Sequence, residues 1–68
     1  MDFDTFKKEF LGLFRTYMVK KSGVLADPNA RTLFRTDLGL RDLITIMNDY
    51  TVRYPEYYEQ ISGEEWTI

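Results

Sequence analysis

Apolar and polar positions along the chain alternate with a helical period in three places. Phe3, Phe6, Phe10, Leu13 and Tyr17 advance by three and four residues, and Leu11, Phe14 and Met18 widen the stripe. At about 100° per residue these positions fill one side of a helical wheel, which predicts a packed amphipathic helix over Asp4–Lys21. Asp2 or Asp4 can cap its start and complement the positive end of the helix dipole. Lys20 and Lys21 suit its last turn, and Gly23 is a stop signal. Lys7 falls inside the apolar arc and is expected to snorkel at its edge. Gly12 costs about 1 kcal/mol relative to Ala in a helix interior. It lies on the polar side of the wheel, where close packing gives no obvious reason for it.

A second helix is expected to start near Leu40–Asp42 and to run to Tyr54, just before Pro55. Leu43, Ile46, Met47, Tyr50 and Tyr54 share one face, with Ile44 at its margin. Thr45, Asn48, Asp49 and Val52 lie on the other side. Pro55 and Glu56 suit the first turn of a short third helix to about Ile61, ended by Gly63. Ser62 and Glu65 have capping-box spacing, so a further turn carrying Trp66 and Ile68 is expected, with Trp66 docking on the first helix. The connection over residues 22–36 holds a turn or cap signal at Asp27–Pro28. Its apolar Val24, Leu25, Leu33 and Phe34 are expected to fold back over the core. The expectation is an all-α fold: a single small domain over 1–68, a three- to four-helix bundle with a long loop between helices 1 and 2.

Composition narrows the chemistry. The 68 residues include no cysteine and no histidine. That removes disulfides, thiolate metal ligands, the commonest general base and the usual pH switch. A core this small gives roughly 3–5 kcal/mol of net stability. Five Phe, five Tyr and one Trp supply much of its area. The N-terminus lacks a basic region followed by an apolar run, so no signal peptide is expected. No apolar stretch reaches the length of a membrane span, and a cytoplasmic setting is expected.

Net charge is −2, but residues 1–35 carry seven basic and four acidic groups, whereas residues 36–68 carry two basic and seven acidic. Two solvated helix surfaces of opposite sign explain this, and a partner surface on one half is the sharper reading. Lys7, Lys8, Arg15, Lys20, Lys21, Arg31 and Arg35 could form a basic surface, but a pI near 4.9 argues against nucleic-acid binding.

The run "SGVLADPNARTLFRTDLGLRDLITIM" resembles the acyl and peptidyl carrier protein family. Gly23-Val24 matches the family's end of the first helix, and Leu33-Phe34 the loop anchor. Asp37-Leu38-Gly39-Leu40 matches its central phrase, and Leu43 the leucine that follows the modified serine. The match covers roughly residues 13–47. The resemblance implies a helical bundle whose second helix opens on a serine bearing phosphopantetheine, a site that favours an anion. Here Arg41-Asp42 replaces the family's Asp-Ser. A carboxylate cannot form the phosphodiester, and Thr45 lies a turn too late. Asp42 therefore reads as an N-cap or first-turn acid, or as a fixed anion imitating the phosphate of a loaded carrier. Gly39 is expected to permit a tight approach ahead of the helix, with Leu38 and Leu43 pointing inward.

No enzyme is expected. Ser22 and Ser62 have no histidine to activate them. Glu56, Glu59, Glu64 and Glu65 are expected to be solvated, and Asp37, Asp42 and Asp49 lack calcium-loop spacing. No cofactor or metal is expected. The reading is a non-catalytic protein-interaction module whose partner surface is Arg41, Asp42, Thr45, Asn48, Asp49 and Val52. One alternative is a small regulatory or inhibitory protein of a mobile element, binding a host protein or nucleic acid. Another is a non-covalent binder of an acyl or nucleotide ligand. The acidic aromatic tail, Tyr54, Tyr57, Tyr58 and Trp66 among four glutamates, reads as a lid on the core or as a second patch.

Overall fold

The amphipathic stripes close on one another as three helices in the computed structural model, which describes residues 1–23, 33–61 and 63. They are α1 (Phe3–Ser22), α2 (Leu40–Arg53) and α3 (Pro55–Gln60), and the fold is all-α. Val24, Leu25, the Asp27–Pro28 turn, Ser62 and the expected turn with Trp66 lie outside the described residues.

The ends of α1 follow from local chemistry. The Asp2 carboxylate accepts the Thr5 backbone N–H at 2.8 Å. That bond, with the Thr5 hydroxyl beside it, holds the Asp2 carboxyl below its ordinary pKa. Gly23 ends α1 in the left-handed region at φ 74°, where glycine carries no Cβ penalty. Its N–H donates to the Val19 carbonyl at 3.0 Å. Pro55 forces a corner at Tyr54, which ends α2 and opens α3.

The core gathers where the stripe of α1 meets α2 and α3. Phe6, Leu13 and Leu43 are fully buried, and Phe10, Leu11 and Ile61 nearly so. Phe6 is the hub of an aromatic cluster. Its ring centroid lies 5.4 Å from Phe10, 5.8 Å from Tyr50 and 5.7 Å from both Tyr54 and Tyr57. The stack with Phe10 is nearly parallel, and the three tyrosines are tilted, as ring quadrupoles prefer. Lys7 lies over the Phe3 ring, 5.4 Å from its centroid. That is a cation–π contact at the edge of the stripe.

The C-terminal half of α1 departs from the wheel. Met18 is exposed, while Thr16, Val19 and Gly12 are buried. The reason is a crossing: the connection returns over the supposedly polar side of α1. The Phe34 N–H donates to the Thr16 hydroxyl at 2.9 Å and approaches the Gly12 carbonyl at 3.4 Å. The Thr16 hydroxyl in turn has the Gly12 and Phe34 carbonyls at 2.7 and 3.0 Å. Gly12 thus sits at a contact after all, and Leu33 and Phe34 are half-buried as they cross.

Candidate partner-binding face

The approach to α2 is a tight turn. Arg35 adopts φ 57°. This left-handed conformation costs a non-glycine residue roughly 1–2 kcal/mol. The Leu38 N–H closes the turn on the Arg35 carbonyl at 3.1 Å, and the Arg35 guanidinium meets Asp37 at 3.5 Å. Gly39 is the N-cap of α2, at φ −78° and ψ 171°, an ordinary extended conformation. A Cβ added there would meet nothing within 4 Å, so the expected tight approach at Gly39 is absent. Leu43 is fully buried and Leu38 half-buried, as their places on either side of the turn require.

Asp42 is not the cap. It lies in the first turn, exposed, where its charge faces the positive end of the helix dipole. Arg41, Asp42, Thr45, Asn48, Asp49 and Val52 are all exposed, and they lie along α2 on the side away from Leu43 and Tyr50. Val52 is 79% exposed, the most open large apolar side chain among the described residues. Leu40 and Ile44 are also exposed, at the margin of the same face.

The chemistry of this face differs from its composition. The Thr45 hydroxyl donates to the Arg41 carbonyl at 3.0 Å, and the Thr51 hydroxyl to the Asn48 carbonyl at 2.8 Å. Both hydroxyls donate to the helix's own backbone, so their donor protons are already used within α2. Arg53 Nε lies 3.1 Å from Asp49 Oδ1, an i,i+4 pair that neutralises one edge. Between Leu40 and Val52 the face therefore mixes Arg41, Asp42 and Asp49 with the exposed apolar side chains of Ile44 and Val52 and the polar Thr45 and Asn48.

No protein-family model, curated protein or solved structure matches this chain.

Other places offer less. A shallow recess of about 300 Å³ at the α2–α3 corner is lined by Arg53, Tyr54, Pro55, Glu56 and Tyr57 and opens widely to solvent. Among the described residues no group of three or more acidic side chains is placed to hold a metal. No described helix is long and apolar enough to cross a membrane. The Tyr50 hydroxyl donates to the Glu9 carboxylate at 3.3 Å and ties α2 to α1. Burial, and then the neighbouring Glu9 charge, raise the Tyr50 pKa above its ordinary value.

The sequence pattern names six residues of the face and misses two contributors, Leu40 and Ile44. The place of Ile44 one turn before Asn48 was the available signal. The Thr16 clamp carried no such signal, because a threonine on a polar arc is ordinary.

Proposed function

We propose that this chain is a non-catalytic protein-interaction module that meets its partner through the outward face of α2. One observation carries the reading: all six residues of the face are exposed on one helix, with the apolar Val52 open at its C-terminal end. Val52 stands beside Asn48 and the Asp49–Arg53 pair, and full burial of such a side chain in a complex is worth roughly 1.5–3 kcal/mol. The carrier-like phrase before α2 supports a finer version, in which the partner is an enzyme that handles carrier domains in the cytoplasm. Asp42 then stands as a permanent anion where a loaded carrier would hold its phosphate, and no prosthetic group is attached.

The test is affinity capture from the native host's lysate with wild type and an Arg41→Ala/Asp42→Ala variant, partners being identified by mass spectrometry. Carrier-handling enzymes recovered by wild type and lost by the variant are the expected result. Partners retained by the variant would move the contact off α2. Unrelated partners lost by the variant would keep the face and discard the carrier mimicry.

A further inference from the structure

We draw no further inference here: the strongest candidate, the exposed apolar patch of Leu40 and Ile44, one turn apart at the start of α2, adjoins the face already described, and nothing in the structure shows what covers it.

Discussion

The two halves of α1 are held to the rest of the molecule by different physics. The N-terminal half uses area: Phe6 and Phe10 sit among Tyr50, Tyr54, Tyr57 and Tyr58, with ring centroids 5.4–6.5 Å apart. The C-terminal half uses a clamp, in which one buried threonine hydroxyl takes the backbone of Phe34 like the edge of a missing strand. Ring packing is non-directional and tolerates small shifts. The clamp is directional, and it uses the hydroxyl of Thr16 and the carbonyl of Gly12. A small domain with little core thus anchors a long connection with a few hydrogen bonds in place of more apolar area.

The comparison breaks most severely at Phe6. Phe6→Ala empties a fully buried ring site, and such deletions cost about 3–5 kcal/mol. That equals the whole stability expected of a domain this size, roughly 3–5 kcal/mol. The variant should show no cooperative thermal transition by circular dichroism. A clear two-state transition would mean that the aromatic end is not what holds the fold.

Thr16→Val comes next. It keeps the shape, removes the hydroxyl, and leaves the part-buried Phe34 N–H without its best acceptor. The expected loss is about 1–3 kcal/mol by urea denaturation, and Thr16→Ser should recover much of it. Equal losses for Val and Ser would mean the site is one of packing, and the contrast between the two halves would collapse.

The smallest effect sharpens the aromatic end. Tyr50 is half-buried and its bond to Glu9 is long. Tyr50→Phe should therefore cost no more than about 0.5–1 kcal/mol after solvent screening. Its folded pKa is raised, so the neutral phenol is the form the fold prefers. The stability it contributes is complete below the unfolded value near 10.0 and falls as pH rises past it toward the folded value. Thermal melts across the alkaline range should therefore decline less steeply for Tyr50→Phe than for wild type. An unchanged slope would remove Tyr50 as the titrating link between α1 and α2.

Helix limits were legible because their signals are local. Asp2, Gly23 and Pro55 act on neighbours within one turn, so reading them in order places α1, α2 and α3 to within a residue or so at most ends. The stripe of α1 was legible as far as Leu13, where the partner is another amphipathic helix with its own stripe. It failed at Met18, Val19 and Thr16, since the partner there is an irregular segment with no period to match. Gly39 misled for the opposite reason: a glycine before a helix suggests close approach, but the space around it is open and its backbone is ordinary. For the face on α2, the wheel already separated Leu43, Met47 and Tyr50 from Arg41, Thr45, Asn48 and Val52. That the Thr45 and Thr51 hydroxyls fold back onto helix carbonyls could not be read from residue types, because the same side chain can bond to water instead.

The sequence by itself determined the helical class, the three helix limits and which side of α2 turns inward, since caps, stops and a 3.6-residue period are short-range facts. Only the tertiary structure decided where Phe34 crosses α1, that the Thr16 hydroxyl and the Gly12 carbonyl meet its backbone, and that the Thr45 and Thr51 hydroxyls bond within α2. Those outcomes depend on which atoms come within bonding distance, and no local pattern encodes that.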